Sequence, residues 1–496
     1  MSKNLRAILF ILLALVQILH LFNKVFGQDI EVTMSAADDS PARFHLEGRF
    51  LNGLRSNNRN LVLLNQYAGI AGLGDRASVL VLKNKDGGGV GFKKLISGEY
   101  LAEENFVRWS CNYELSPMAP ASANAHVSWV GPDNGILMLN DLLPQMPGNK
   151  RFSARVTIVL PDGWRITTTE RAAEKNIFEV ADVEDAEFVI SKNATGRILS
   201  DPDGSLTVLI FDNWNFADAD SLSTVRDIHG YYSRIFGSRS TNRAQVTLMK
   251  FQGSVGAGEW EADTRGVSVT ILSTDAPFKS QALQQLHEQL RHELFHLWIP
   301  NGINLGGNYD WFYEGFALYQ SLKTGVALNR IRFDDFLDTL SRAYNIDAAQ
   351  AHTVSLIEAS RNRWRGANTQ VYARGMLVAF LCDLALLEAS GGKISVTNII
   401  RKLYQDHRVP AGPVDGNTAV LELLGSHAEL KNVVNRNIIG AEKVDWSEAL
   451  QKAGIEAIEE NASVTLRVTA KSSGRQKDLL DKLGYNNWRK LSQGFK

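Results

Sequence analysis

The hydrophobic pattern of the chain changes near Lys279, and this change constrains the fold more than any other feature of the sequence. In residues 31–169, short segments with alternating apolar and polar residues are separated by Gly and Pro–Asp turns, which is typical of a β-sandwich. A second β-rich stretch covers residues 187–274. After Lys279, apolar residues recur with helical spacing over most of the remaining chain. The sequence therefore predicts an α+β multidomain fold.

The chain has 496 residues, which is too long for one ordinary hydrophobic core. We predict an N-terminal β-sandwich domain at 28–180, a domain with a β-rich lobe and a helical lobe at 181–410, and a C-terminal helical region and tail at 411–496. The formal net charge is −1, which gives no electrostatic reason to expect binding to nucleic acid or to an anionic membrane.

The N-terminus has the features of a signal peptide. Lys3 and Arg6 precede an apolar run at residues 7–19, and small residues suit cleavage after Gly27. This predicts a signal peptide at 1–27 and an exported protein, either periplasmic or secreted. The alternative is an uncleaved membrane anchor, although the apolar residues 7–22 fall short of the roughly 20 that span a bilayer. No other segment is expected to span a membrane.

One helix of the second half carries a pattern of metal-binding residues. Residues 281–299 read as a helix that Pro300 ends, and within it His292, Glu293 and His296 form a His-Glu-x-x-His pattern. Two histidines four residues apart lie on one helix face, so both imidazoles can reach one Zn²⁺ ion. Glu293 lies beside the first histidine, where it can take a proton from metal-activated water. The alternative is a chance pattern on a solvated helix face.

Glu314 supplies the third ligand of the predicted site. It follows His296 by 18 residues and begins another helical segment, between the aromatic residues Trp311, Phe312 and Phe316. A carboxylate among aromatic residues is costly to bury unless it is paired or bound to a metal. Three protein ligands leave a position for water, which is the arrangement of catalytic zinc sites. The alternative is a partly exposed Glu near a helix N-terminus.

A helical His-Glu-x-x-His pattern followed by Glu on the next helix resembles the gluzincin peptidases, such as thermolysin and aminopeptidase N. Other segments resemble the glycyl aminopeptidase family more narrowly. In the family's order, these are His296-Leu297-Trp298, Trp311-Phe312-Tyr313-Glu314-Gly315-Phe316, Ser355-Leu356-Ile357-Glu358-Ala359-Ser360 and Val371-Tyr372-Ala373-Arg374-Gly375.

The resemblance spans most of residues 100–455 and implies a zinc metallopeptidase with a thermolysin-like catalytic domain at 181–410. Members of the family often carry a PDZ domain after the helical domain. Only about forty residues follow Gly454, which is too few for such a domain. We therefore expect a C-terminal helical end without a PDZ domain.

The resemblance also assigns two further site residues. Tyr372 stands where related aminopeptidases have a tyrosine whose hydroxyl donates to the oxyanion of the tetrahedral intermediate, and the alternative is an ordinary packed aromatic residue. Glu259 ends a glycine-rich stretch expected on a strand, where related enzymes bind the free α-amine of the substrate. Trp260 replaces the usual polar neighbour, and a surface Glu in a glycine turn is the alternative.

The favoured function is that of a zinc-dependent aminopeptidase acting on peptides or proteins. A zinc endopeptidase on the same scaffold is one alternative, and a non-catalytic binding protein built on a peptidase scaffold is another. No nucleic acid is expected as a partner, and no membrane contact beyond an N-terminal anchor. No feature of the sequence indicates the oligomeric state, the side-chain specificity or the physiological substrate.

Overall fold

The computed structural model describes residues 28–487, except 39, 52–58, 117–122, 147–150, 193–194, 241–242 and 410. The predicted signal peptide at 1–27 and residues 488–496 lie outside the described residues. The chain forms two compact units. The first takes its described residues from 1–119 and 127–193, and the second from 120–126 and 194–496.

In the first unit, two β-sheets share one hydrophobic core. Phe178 of one sheet and Phe188 of the other have ring centroids 5.1 Å apart. The eight-stranded sheet has the order Arg171–Glu174, Ile177–Val180, Ala154–Val159, Ile30–Ala37, Ser40–Phe50, Arg108–Glu114, Ala77–Lys83 and Gly89–Val90. The four-stranded sheet has the order Trp129–Val130, Asn134–Met138, Glu187–Lys192 and Trp164–Thr167.

Smaller elements complete this unit. A three-stranded sheet is formed by Asn60–Val62, Glu99–Ala102 and Phe92–Ile96, and a hairpin by Gln66–Tyr67 and Ile70–Ala71. Among its described residues, the helical elements are the 3₁₀ turn Leu73–Arg76 and the α-helix Leu139–Leu142.

The boundaries of the units differ from those predicted. The strand Glu187–Lys192 pairs with Asn134–Met138 and Trp164–Thr167, so the first unit extends to residue 193 and not to 180. At the other end, residues 411–496 do not form a separate unit, because buried residues from Leu206 to Leu483 belong to one continuous core. Sequence pattern locates these elements but does not show with which partners they pack.

The second unit is built on a five-stranded sheet. Its inner strands pair in parallel and are almost entirely buried, whereas the strand Trp260–Arg265 pairs antiparallel at one edge. Strands buried on both faces consist of nearly continuous apolar residues. The order is Gly196–Ser200, Leu206–Phe211, Ala244–Lys250, Ser268–Ser273 and Trp260–Arg265. Two further pairs are Leu305–Gly306 with Val414–Asp415, and Ile455–Glu460 with Ser463–Val468.

Helices make up most of the remaining second unit. The described α-helices are Asp218–Phe236, Lys279–His296, Asp310–Tyr313, Gly315–Ala327, Phe333–Ala348, Leu356–Arg361, Gly375–Ser390, Val396–His407, Gly416–Gly425, Lys431–Val433, Ser447–Ala453 and Gly474–Leu483. The described 3₁₀ turns are Arg363–Arg365 and Ala428–Leu430, and the π-helical turns are Gln370–Arg374 and Val434–Ile439.

The helical segment Gln370–Ser390 lies in the centre of this core. Contrary to the sequence-based expectation, it is long and apolar enough to cross a membrane, but 89% of its most apolar stretch is buried inside the protein. A helix that is apolar on all sides is typical of the centre of a large core as well as of a membrane span. The segment thus provides a rigid support for the residues at its N-terminal end.

Two glycines allow this segment to approach the helix Gly315–Ala327 very closely. A Cβ atom added to Gly315 would lie 2.4 Å from the Cα of Gly375, and one added to Gly375 would lie 2.7 Å from the carbonyl oxygen of Trp311. Both obstacles are backbone atoms, which cannot rotate away. Glu314 directly precedes Gly315, and Tyr372 lies three residues before Gly375. The contact between the two glycines therefore fixes the separation of these two predicted site residues.

Replacing Gly375 by Ala is therefore expected to destabilise the protein by about 1–3 kcal/mol, the range for overpacking of a close-packed contact. Peptidase activity should fall as well, because Glu314 and Tyr372 would be pushed apart. Urea unfolding and activity assays test this. Gly230→Ala, in the middle of the helix Asp218–Phe236, is the matched control, because its added Cβ would meet only the Arg234 side chain at an ordinary contact distance of 3.8 Å. Equal stability and activity in the two variants would contradict the prediction.

Candidate metal centre and active site

The helix Lys279–His296, here called the motif helix, carries the first two predicted ligands. Ala282, Leu286, Leu290 and Leu294 recur every four residues and are buried in the core of the second unit. This apolar stripe fixes the rotation of the helix about its axis. The helix ends at His296, three residues before the predicted end, and a turn continues to Asn301, whose N–H donates to the carbonyl oxygen of His296.

The motif helix and the segment before Gly315 bring three ligand atoms together. The Nε2 atoms of His292 and His296 are 3.2 Å apart, and the Oε2 atom of Glu314 lies 3.1 Å from the first and 3.5 Å from the second. Ligands at about 2.0–2.1 Å from a tetrahedral zinc ion are about 3.3 Å from one another. All three residues are buried, and their chemistry is that of catalytic zinc sites. The donor set therefore fits zinc.

The protein environment alone favours a protonated, positively charged His296 and an ionised, negatively charged Glu314. Burial by itself would lower the pKa of His296, but Glu314 outweighs it and raises the pKa to about 9. Burial likewise would raise the pKa of Glu314, but Arg363 and His296 bring it well below the usual range. The Nδ1 atom of His296 lies 3.0 Å from the carbonyl oxygen of Ile299, which orients the ring. A metal ion binds the unprotonated imidazole, so metal binding must displace the proton that His296 holds beside Glu314.

Glu293 lies next to the first histidine and is buried. The hydroxyl of Thr264 donates to Oε2 of Glu293 over 2.7 Å and also lies 3.2 Å from the Glu293 carbonyl oxygen. Thr264 belongs to the edge strand Trp260–Arg265, so the edge strand runs beside the motif helix at this carboxylate. The contact fixes the orientation of Glu293.

Tyr372 lies in the π-helical turn Gln370–Arg374, immediately before the buried core helix. Its ring centroid is 6.3 Å from that of His292. Burial and the nearby carboxylate of Glu314 raise the pKa of the phenol well above its ordinary value, despite the opposing effect of Arg363. The hydroxyl therefore stays protonated at neutral pH and keeps a hydrogen to donate.

Glu259 is placed differently from the expectation. The stretch before it is not on a strand, because Gly258 has a φ of 85° and forms a turn, and the strand begins at Trp260. Glu259 is exposed on this turn. Two other carboxylates, Glu261 and Asp263, lie on the edge strand itself.

Sequence analysis missed several residues around the site. Arg363 contacts both Glu314 and Tyr372, and Thr264 contacts Glu293. Arg363 directly precedes Trp364, but no spacing or composition marks it as part of a site. His287 also lies on the motif helix, outside the ligand set, and is only 2% exposed.

His126 forms a charged cluster with the edge strand. Its Nδ1 atom is 3.4 Å from Asp263, and its Nε2 atom is 3.6 Å from Glu261. Arg265 donates to Asp263 over 2.8 Å and to the carbonyl oxygen of His126 over 2.6 Å. Burial and Arg265 lower the pKa of His126, but Asp263 and Glu261 outweigh them and raise it to about 9.

This cluster predicts a pH-dependent contribution to stability. The folded pKa of His126 lies above its ordinary value of 6.5, so the stabilisation is fully present below pH 6.5 and is lost as pH rises through 9. Its size is on the order of 1–3 kcal/mol. His126→Gln should lower the urea midpoint at pH 6 much more than at pH 9.5, with exposed His352→Gln as control. An equal decrease at both pH values would contradict the assignment.

The fold is similar to those of solved structures described as an aminopeptidase N family protein and M1 zinc metallopeptidases. The sequence matches no protein-family profile and no curated protein. An aminopeptidase N family protein from Idiomarina loihiensis is similar over 90% of this chain and 82% of its own, with a TM-score of 0.72 and 15% identity.

An M1 zinc metallopeptidase from Deinococcus radiodurans is similar over 84% of this chain and 94% of its own, with a TM-score of 0.50 and 14% identity. A third similar structure is a mutant M1 zinc metallopeptidase from the same organism, bound to a Tyr-Ser-Ala substrate. The match covers 84% of this chain and 95% of that protein's chain, with a TM-score of 0.52 and 14% identity. The resemblance to the gluzincin aminopeptidases is thus confirmed at the level of the fold.

Proposed function

We propose that the protein is a zinc-dependent peptidase and, more narrowly, an aminopeptidase. The observation that carries the proposal is the convergence of His292, His296 and Glu314, whose ligand atoms all lie within 4.8 Å of one another. Glu293 and Tyr372 stand next to these ligands. The shared fold with M1 zinc metallopeptidases supports the same reading.

In the proposed mechanism, His292, His296 and Glu314 hold the zinc ion. When bound, zinc polarises the scissile carbonyl and makes water acidic enough to act as a nucleophile near neutral pH. Glu293 accepts a proton from the attacking water and passes it to the leaving amine. Thr264 keeps its carboxylate in position. The Tyr372 hydroxyl donates to the oxyanion that develops on the substrate carbonyl.

The edge strand is the proposed guide for the substrate backbone. An extended peptide can bind an exposed strand edge by main-chain hydrogen bonds, and this strand passes beside Glu293. Such binding would align successive residues of a peptide along the site without regard to their side chains.

The aminopeptidase mode needs a carboxylate for the free α-amine of the substrate. Glu259 remains the residue proposed from the sequence, although it lies on the exposed turn. Glu261 has a side chain 32% exposed and lies on the edge strand, three residues before Thr264, so it is a second candidate. Glu259→Gln and Glu261→Gln should be compared on the same aminoacyl substrate, and the variant that raises KM identifies the amine-binding group.

A digest of a peptide library with product sequencing tests the proposed function. Free N-terminal residues should be released, N-acetylated peptides should resist cleavage, and removal of zinc with a chelator should abolish turnover until zinc is restored. Cleavage of blocked peptides at internal bonds would favour the endopeptidase instead. No turnover with zinc bound would favour the non-catalytic binding protein.

We further propose that the protein is exported. The basic start, the apolar run and the small residues before Gln28 support a cleaved signal peptide. N-terminal sequencing of the mature protein should begin at Gln28. A mature chain that retains residues 1–27 in the membrane fraction would favour the anchor.

A further inference from the structure

Arg363 is a largely buried cation that has no role in the mechanism described above. It belongs to the short turn Arg363–Arg365, between the helix Leu356–Arg361 and the π-helical turn with Tyr372. Its side chain is only 11% exposed. The guanidinium lies over two aromatic rings, with its central carbon 4.6 Å from the ring centroid of Trp364 and 5.1 Å from that of Tyr372.

The guanidinium connects two groups of the proposed active site. Its Nη1 atom donates to Oε1 of Glu314 over 2.9 Å and to Oδ1 of Asp310 over 3.1 Å. Its Nη2 atom donates to the hydroxyl oxygen of Tyr372. Its Nε atom is 3.4 Å from Oδ1 of Asn368. One side chain thus contacts a predicted zinc ligand and the predicted oxyanion donor at the same time.

Because of the contact with Arg363, the two carboxylate oxygens of Glu314 have different partners. Oε1 accepts from Arg363, whereas Oε2 faces the two histidines. A carboxylate held in this way presents one oxygen to a metal while the other stays hydrogen-bonded to Arg363. Hydrogen bonds from outside the ligand set are known to fix ligand orientation and to affect metal affinity.

The contact with Tyr372 determines the direction of its hydroxyl. A phenol has one hydrogen to donate and lone pairs to accept. Because Arg363 can only donate, it occupies a lone pair of the Tyr372 oxygen. The phenol hydrogen must therefore point to another acceptor, which in this structure is the Glu314 carboxylate on the metal side. Charge-assisted hydrogen bonds of this kind are stronger than neutral ones and polarise the bonds next to them.

We propose that Arg363 is a positioning residue that fixes Glu314 as a one-oxygen zinc ligand and aims the Tyr372 hydroxyl at the oxyanion. This inference rests on the proposed function. Asp310 accepts from the same Nη1 atom as Glu314, and the rings of Trp364 and Tyr372 contact the guanidinium. A lysine would keep the charge but cannot supply the planar fork that reaches several acceptors at once.

The test compares Arg363→Ala and Arg363→Lys with the exposed Arg365→Ala in the same turn. Zinc affinity is measured by chelator competition on the metal-free protein, and kcat and KM are measured on the zinc-loaded protein. Both Arg363 variants should lose about 10–100-fold in zinc affinity, as for other residues that orient metal ligands. In both, kcat should fall while KM stays nearly constant, and Arg365→Ala should match the wild type. Arg363→Lys keeps the positive charge, so zinc affinity and kcat can still be measured on it if the Ala variant does not fold.

A double-mutant cycle with Tyr372→Phe separates positioning from general support of the fold. If Arg363 acts on turnover through Tyr372, Arg363→Lys should reduce kcat much less in the Tyr372→Phe background than in the wild type. Equal reductions in both backgrounds, or unchanged zinc affinity, would overturn the proposal. A wild-type protein that binds zinc but cleaves no peptide would refute the proposed function, while the zinc-affinity comparison would still test the contact with Glu314.

Discussion

Replacing Glu293 by Gln is expected to reduce kcat by about 10²–10⁴-fold, the contribution of a positioned general base. The amide has nearly the same size and can still accept the hydrogen bond from Thr264, so the fold should remain intact. It cannot accept and return a proton. Zinc content and KM should therefore stay close to those of the wild type, because Glu293 is not among the three converging ligands.

The matched control for this variant is Glu288→Gln, on an exposed position of the same helix. Steady-state kinetics and metal analysis of both variants, prepared in parallel, provide the measurement. Full activity in Glu293→Gln would refute the mechanism, and loss of zinc would show that Glu293 supports the metal instead of moving a proton.

Replacing Tyr372 by Phe is expected to lower kcat by about 10²–10³-fold, the usual cost of removing one oxyanion donor. The ring and its packing remain, and only the hydroxyl is lost. Because the hydroxyl acts on the charge that develops during the reaction, kcat and kcat/KM should fall by similar factors. Zinc content should not change.

Tyr231→Phe provides a control, because it removes a hydroxyl from a partly buried tyrosine on another helix, Asp218–Phe236. Kinetics with one peptide substrate across both variants is sufficient. A Tyr372→Phe protein with wild-type kcat would show that the tyrosine is an ordinary packed aromatic residue, which was the alternative left open by the sequence.

The three converging side chains were accessible from the sequence because local geometry determines most of their arrangement. Two histidines four residues apart must share a helix face, and the aromatic residues around Glu314 indicated burial. Local pattern misplaced the strand near Glu259, since Gly258 turns the chain and the strand begins only at Trp260. The amine-binding role of Glu259 stays a prediction. A glycine-rich segment does not reveal whether it continues a strand or interrupts it.

Arg363 could not be predicted for a different reason. Its contact with Glu314 joins residues 49 positions apart, and the helices between them must fold before the pair exists. The unit boundary has the same origin, because Glu187–Lys192 reads as a strand in either domain until its pairing partners are known. Long-range packing, and not local propensity, determines both the contact of Arg363 with Glu314 and the boundary between the units.

The central claim is that His292, His296 and Glu314 hold one zinc ion. It is tested most directly by crystals of the zinc-reconstituted protein measured on both sides of the zinc absorption edge. We expect one anomalous peak per chain, about 2.0–2.2 Å from the Nε2 atoms of both histidines and from a carboxylate oxygen of Glu314. The absence of a peak there, or a single peak at other residues, would contradict it.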